Sequence, residues 1–230
     1  RADGAARGVA SDADDGAGDD RQGRRVLFSG NLGHYDQPII RDPSPPPLCD
    51  YLLVESTYGN RLHDPEEPKI ALARIINDAA KRDAVVLIPA FAVGRTQEIV
   101  YLIRELEEEK AIPVLPVIVD SPMAAAATTA YANRKEEQDE EYASILASQR
   151  HPLRTHSMST ASSKAESKRL NDAKGARVIV SASGMMTGGR VLHHAVAEVG
   201  HRPDGPADRI GAGLVAGWPQ LFVDPVLFAE

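Results

Sequence analysis

The chain has 230 residues, 43% of them hydrophobic, and a formal net charge of −7. This length allows one sizeable core or two small ones, and the negative balance excludes a generally basic nucleic-acid binder but not a local basic site. The single cysteine, Cys49, excludes a disulfide framework and a cysteine-based zinc site and predicts a small buried residue in a reducing compartment. Without an apolar run long enough to span a bilayer, we expect a cytoplasmic protein with no membrane partner.

The two ends differ in composition from the middle. Residues 1–24 are mainly Gly, Ala, Asp and Arg and contain almost no large apolar side chain. Such a segment cannot bury enough surface to offset its ordering entropy, so we predict a disordered leader. Residues 197–230 are rich in Gly and Pro without a sustained period and predict an irregular tail.

Apolar segments and helical patterns alternate through the middle of the chain. Short or continuous apolar runs predict strands in "RRVLFSG", "CDYLLVEST", "DAVVLIPAF", "LPVIVDSPM" and "ARVIVSAS". Amphipathic or helix-favouring patterns predict helices in "PEEPKIALARIINDAAKR", "GRTQEIVYLIRELEEEK", "AAAATTAYAN", "EEQDEEYASILASQR", "SSKAESKRLND" and "TGGRVLHHAVAE". Ser121 is suited to cap the third of these helices, with Pro122 at its first position. The alternation predicts an α/β fold with a largely parallel sheet.

Three predicted strands end in polar turns that contain glycine or proline: "PAFAVGRTQE", "VDSPMA" and "SASGMMTGGR". Ligands of open parallel sheets bind beyond the carboxyl ends of the strands. A helix starting near Thr187, together with Arg95 and Arg190, favours a phosphate-rich ligand. The alternative is that the glycines only make tight turns and the arginines are solvated. Neither a P-loop nor a dinucleotide-binding fingerprint is present.

Glu55 ends an apolar run that predicts a buried strand. A carboxylate at such a place is costly to leave unpaired. Two interpretations remain open: Glu55 accepts hydrogen bonds from a neighbouring turn, or it positions a histidine or a water.

Six separated motifs in this order resemble the β-CASP branch of the metallo-β-lactamase superfamily. They are "FSGNLGHYDQPIIRDP", "LLVESTYGNR", "VLIPAFAVGRTQEIVYLIREL", "LPVIVDSPMA", "ESKRLN" and "VIVSASGMMTGGRVLHH". The resemblance implies a partial αββα metallo-β-lactamase layer in residues 25–83, an inserted β-CASP cap domain with a parallel sheet in residues 84–180, and a return to the layer in residues 181–196. The implied activity is cleavage of RNA phosphodiester bonds by two zinc ions, with single-stranded RNA as a candidate substrate and a homodimer as a candidate assembly.

The resemblance also assigns residues to roles. Glu55 matches an acidic residue that orients catalytic groups. The residues that match turns facing the nucleic-acid cleft are Gly94, Arg95, Thr96, Gln97, Ser183, Gly184, Gly188, Gly189 and Arg190. Asn31 stands where the family usually has a metal-bridging Asp, and a neutral amide is a poorer bridging ligand.

Other metal-binding motifs of the family have no counterpart in the sequence. The His-x-His-x-Asp-His motif and the later histidine segments are missing, and no zinc site can be assembled from His34, His63, His151, His156, His193, His194 and His201. His193 and His194 are adjacent on a predicted helix and point in different directions, which favours core or surface roles. We therefore expect zinc to be incompletely bound and catalysis to be lost or impaired, in a truncated or frame-shifted copy of a larger enzyme.

The sequence leaves three functions open. The first is a zinc-dependent hydrolase acting on RNA. The second is a non-catalytic nucleic-acid-binding remnant of such an enzyme, which needs only the phosphate-facing turns. The third is an inactive product whose first two strands lack their sheet partners and expose adhesive edges.

Overall fold

A computed structural model describes residues 24–32, 35–57, 59–60, 66–148, 151–182 and 188–200. Most of the predicted leader and tail lies outside these ranges. The chain forms two compact units, Arg1–Leu62 with Asn133–His151, and His63–Ala132 with Pro152–Glu230. The predicted domain boundaries stay a prediction.

The first unit contains a small parallel sheet. Strands β1 (Val26–Phe28) and β2 (Tyr51–Leu53) pair in parallel, with Val26 opposite Tyr51. This unit also contains a 3₁₀ turn over Lys135–Glu137 and helix α4 (Glu140–Ala147), which Asp139 caps. The buried apolar side chains of its described residues include Leu27 on β1, Tyr142 and Ile145 on α4, and Ile39.

Strand β2 is exposed, so the prediction of a buried strand before Glu55 is wrong. Each residue from Tyr51 through Val54 is at least half exposed, as is Phe28 on β1. Among the described residues this sheet has two strands, with Leu27 of β1 buried, whereas parallel sheets are ordinarily covered on both faces. The expectation that these two strands lack their sheet partners stays a prediction. Cys49, which precedes β2, is partly exposed rather than buried.

The second unit is a four-stranded parallel sheet in the order β3-β6-β4-β5, flanked by helices. Its strands are β3 (Val85–Pro89), β4 (Val117–Asp120), β5 (Met158–Thr160) and β6 (Arg177–Ser181). Its helices are α1 (Pro68–Lys81), α2 (Arg95–Glu108), α3 (Pro122–Asn133), α5 (Lys164–Asp172) and α6 (Arg190–Gly200). Helix α6 extends four residues into the segment predicted to be irregular. Within the described residues, no helix combines the length and the apolarity needed to cross a membrane.

The two faces of this sheet bury different helices. Alternate strand residues, such as Val117 and Val119 on β4, pack with α1, α2 and α3. The intervening residues, such as Ile118 and Ile179, pack with Val191 of α6 and residues of α5. Because successive strand side chains point to opposite faces, continuous apolar runs are needed to cover both. The structure confirms the predicted α/β fold with parallel sheets.

Strand β5 is absent from the sequence-based predictions. Its three residues, Met158 to Thr160, are neither a long apolar run nor an alternating one. The strand forms because Met158 pairs with Val117 and Thr160 with Val119 of β4. It lies at the edge of the sheet, where a short and polar strand is common.

Candidate nucleic-acid interface

Two predicted polar turns, those after β3 and β4, lie at the carboxyl edge of the four-stranded sheet, together with the described ends of the third. The chain leaves β3 and β4 toward the face covered by α2 and α3, and it leaves β5 and β6 toward the face covered by α5 and α6. Since β6 lies between β3 and β4, its exit is opposite to that of both neighbours. Such reversals open a crevice beyond the strand ends, where ligands of parallel sheets bind.

The turn between β3 and α2 is held by its own backbone and by Thr96. The Thr96 hydroxyl donates to the carbonyl of Phe91 at 2.8 Å, and the Thr96 amide donates to the same oxygen at 3.2 Å. The Arg95 amide donates to the Val93 carbonyl at 3.2 Å. Thr96 is buried, and its hydrogen bonds shape the turn. The first two amides of α2, those of Arg95 and Thr96, both donate to carbonyls of this turn.

Gln97 joins this turn to the start of α3. Its side-chain nitrogen lies 3.2 Å from the Ala92 carbonyl and 3.3 Å from the Ala124 carbonyl, and 3.1 Å from the Thr128 hydroxyl. The Gln97 side chain is fully buried. One amide group therefore fixes the distance between the turns that follow β3 and β4.

The two arginines predicted to bind phosphate have protein partners. Arg95 forms an ion pair with Glu98 at 2.6 Å, one turn along α2. Arg190 donates to Asp120 Oδ1 at 2.7 Å and to the carbonyls of Ala161 and Ser162 at 2.8 and 3.1 Å. Arg190 thus links α6 to the ends of β4 and β5. Phosphate contacts by either side chain stay a prediction.

Asp120 is the centre of a buried polar cluster that sequence reasoning missed. Besides Arg190, its carboxylate accepts from the Ser167 hydroxyl at 2.7 Å and lies 2.8 Å from His194 Nε2. The other ring nitrogen of His194 lies 2.6 Å from Asn171 Oδ1. Burial raises the pKa of the Asp120 carboxyl, but hydrogen bonds from His194, Ser167 and Arg190 outweigh that effect and place this pKa below its ordinary value.

The adjacent histidines of α6 have different environments, as predicted. His194 is buried within the Asp120 cluster and His193 is exposed. His194 follows Arg190 by four residues, which places both on one face of the helix. That spacing, together with an Asp at the end of a buried strand, is a signal from which the cluster could have been predicted.

The turn after β6 is described only in part. Ser183 and Gly184 lie outside the described residues, as does Thr187, near which α6 was predicted to begin; the helix begins at Arg190. Gly189 has φ of +83°, a conformation that favours glycine. A methyl group built on Gly188 would meet no atom of the described residues within 4 Å.

Glu55 lies in the first unit and is bonded to a neighbouring turn. Its carboxylate accepts the Leu32 amide at 2.6 Å, and its own amide donates to the Ser29 hydroxyl at 2.8 Å. The hydrogen bonds from the Leu32 amide and the Thr57 hydroxyl hold the pKa of Glu55 below its ordinary value. The first of the two interpretations of Glu55 is the one that the structure shows. Asn31 is exposed.

The described residues do not fit a pair of zinc ions. Within them, no group of three His, Cys, Asp or Glu side chains is arranged to hold a metal. His156 lies 2.8 Å from the buried carboxylate of Glu107, and His151 is exposed. His34, His63 and His201 lie outside the described ranges. Zinc, which the family resemblance implies, therefore stays a prediction.

Two exposed lysines lie beside the carboxyl edge. Lys164 is the first residue of α5, and Lys168 follows one turn later. Lys164 lies two residues after Ser162, whose carbonyl, like that of Ala161, accepts from Arg190. Neither lysine has a hydrogen-bond or ion-pair partner among the residues that the structure describes. In a chain of net charge −7, these are local cations that phosphates can approach.

Alanine at Gly94 is expected to destabilise the protein by about 1–2 kcal/mol, because φ at Gly94 is +83° and only glycine adopts it without strain. Alanine at Gly188 is the matched control and should change the free energy of unfolding by less than about 0.5 kcal/mol. Urea unfolding measures both. Equal effects of the two substitutions would contradict the assignment of strain to Gly94.

Comparisons with known proteins agree with this geometry. A family model described as the Beta-Casp domain matches residues 96–203. Ribonuclease TTHA0252 of Thermus thermophilus is 34% identical over 213 residues, which are 88% of this chain and 48% of the ribonuclease. Transcription termination factor FttA of Methanosarcina mazei is 28% identical over 85% of this chain and 32% of the factor. Endoribonuclease YSH1 of Kluyveromyces lactis is 32% identical over 44% of this chain and 14% of the enzyme.

These matches and the doubly wound parallel sheet define the class as an α/β domain of the β-CASP type. The chain belongs to the β-CASP branch of the metallo-β-lactamase superfamily. It spans about half the length of the ribonuclease and about a third of the termination factor.

Proposed function

We propose that this protein acts on RNA phosphodiester bonds as a β-CASP hydrolase and holds the RNA across the carboxyl edge of its four-stranded sheet. The relatives named above are called ribonuclease, endoribonuclease and transcription termination factor, which supports RNA as the substrate or partner. We further propose that the bound RNA is single-stranded. We also propose that any cleavage depends on zinc and that catalysis is lost or impaired in this chain.

The RNA-binding part of the proposal rests on the residues found at the carboxyl edge of the four-stranded sheet. Turns from both faces of the sheet lie there, beside the exposed lysines Lys164 and Lys168, which have no ion-pair partner among the residues that the structure describes. Phosphate groups supply most of the affinity of nucleic acids for proteins through contacts with such cations. The acidic end of α2, from Glu105 to Glu109, lies at the opposite edge because α2 runs away from the carboxyl ends.

A second candidate is a nucleic-acid-binding protein that does not cleave. It is favoured by the neutral Asn31 at the position of a metal-bridging Asp and by the lack of a metal-binding group among the described side chains. Both candidates share the RNA-binding edge and differ only in the chemistry that follows binding.

The test titrates the purified chain with a labelled single-stranded RNA at several salt concentrations and follows cleavage with and without added zinc and chelator. Salt-dependent binding with cleavage that the chelator abolishes supports the hydrolase. Salt-dependent binding without cleavage supports the second candidate. RNA binding that is absent at low salt contradicts both.

A further inference from the structure

The carboxyl edge exposes three large apolar side chains in addition to its lysines. Phe91 and Val93, on the turn after β3, are 50% and 59% exposed, and Met123, in the first turn of α3, is 66% exposed. We call these three residues the apolar edge patch. Within the described part of this unit, Phe91 is the only phenylalanine.

The two segments that carry the apolar edge patch are held together by Gln97. Ala92 lies between Phe91 and Val93, and Ala124 follows Met123. The carbonyls of Ala92 and Ala124 both lie within 3.3 Å of the Gln97 side-chain nitrogen, and Ala92 and Ala124 pack in one apolar cluster. The buried Gln97 therefore keeps the patch together on one side of the crevice.

We infer that the apolar edge patch is a binding site for nucleobases, with Phe91 as the stacking surface. The inference rests on the proposed RNA function and assigns a second role to the same edge. The lysines on α5 are suited to the phosphates of a strand, whereas an aromatic ring and a thioether are suited to the faces of its bases. Phosphate-binding and base-binding groups along one edge are what a single strand requires, since its bases are not paired with another strand.

The chemistry also selects against other occupants. A duplex presents its phosphates but keeps its bases stacked inside, so the apolar edge patch would remain unused. A protein partner would use the patch without requiring the lysines on α5. The presence of both features at one edge favours unpaired nucleic acid.

The test compares Phe91→Ala, Phe91→Trp and Ile70→Ala in the full chain. Ile70 is a matched control because it is 57% exposed on α1. The probes are a labelled single-stranded oligoribonucleotide and a hairpin duplex of similar length. Phe91→Ala should weaken single-strand binding by about 5- to 150-fold and leave duplex binding and the salt dependence of binding unchanged. Phe91→Trp should retain binding because the aromatic face is kept. Melting temperatures verify that each variant is folded.

Two results would overturn the inference while leaving the proposed function intact. One is equal single-strand affinity for Phe91→Ala and Ile70→Ala, which would leave the apolar edge patch to another partner. The other is equal weakening of single-strand and duplex binding. A wild-type chain that binds no RNA would instead remove the proposed function, and the inference with it.

Discussion

Replacing Asp120 by asparagine is expected to lower the free energy of unfolding by about 3 kcal/mol, the scale for breaking a buried charge pair. The Asp120 carboxylate is fully buried, and it accepts hydrogen bonds from Arg190, Ser167 and His194. Asparagine keeps the shape of the side chain but removes the charge that opposes Arg190, and its NH₂ group cannot accept these bonds. We therefore expect a large loss of stability from a change of a few atoms.

Equilibrium unfolding in urea measures the change, and Asp172→Asn is the control. Asp172 is an exposed carboxylate at the end of α5, so its replacement should alter the free energy of unfolding by less than about 0.5 kcal/mol. Because Arg190 also bonds the chain between β5 and α5, the loss should be accompanied by faster amide exchange around Ala161 and Ser162. Similar urea midpoints for Asp120→Asn and Asp172→Asn would show that the Asp120 cluster contributes little to the free energy of unfolding.

The contribution of Asp120 to the stability of the folded state should depend on pH, in the direction set by its lowered pKa. The pKa of this carboxyl is lowered by folding, so the ionised form is favoured in the folded state. Its stabilising effect is present above the unfolded pKa of about 3.9 and is lost as the pH falls through the lower folded value. The difference in melting temperature between the wild type and Asp120→Asn should therefore narrow below about pH 4. A difference that stays constant from pH 7 to pH 2 would contradict this assignment.

Replacing Lys164 and Lys168 together by glutamine should weaken RNA binding by removing two exposed cations beside the carboxyl edge. If each lysine neutralises one phosphate, the slope of log K against log salt should become less steep by about 1.4 for a single strand. The affinity should fall by about one to two orders of magnitude at low salt. Both lysines are exposed, so the free energy of unfolding should change little.

A charge-matched control separates position from net charge. Lys81 ends α1 just before β3, and Lys174 precedes β6, so both lie at the amino edge of the sheet. The double variant Lys81→Gln and Lys174→Gln has the same net charge as the first variant and should retain the wild-type slope. Equal slopes for the two double variants would mean that RNA responds to overall charge and does not bind at the carboxyl edge.

The strands that could be predicted are those buried on both faces. The runs that form β3, β4 and β6 contain at least three consecutive apolar residues each because α-helices cover both sides of the sheet. Strand β2 has a similar apolar sequence but is exposed, since sequence alone does not show whether a covering layer is present. Strand β5 has no apolar pattern, and its pairing with β4 determines its conformation.

The sequence predicts the turns of the candidate site but not the contacts between its side chains. Glycine-containing turns after apolar runs indicated the carboxyl edge. The partners of Asp120 are 47 to 74 residues away along the chain, so spacing could not reveal them. Arg190 shows the same limit, because an arginine suited to phosphate is equally suited to a buried carboxylate. The exposure of Phe91 depends on how its turn packs, which no sequence period encodes.

The most direct test of the central claim is to map where RNA lies on the protein. A single-stranded RNA with a photoactivatable uridine is cross-linked to the wild-type chain, and the modified peptides are identified by mass spectrometry. We predict cross-links at the carboxyl edge, in the peptides that contain Phe91, Met123 and Lys164. Cross-links confined to the amino edge, in the peptides that contain Lys81 and Lys174, would contradict it.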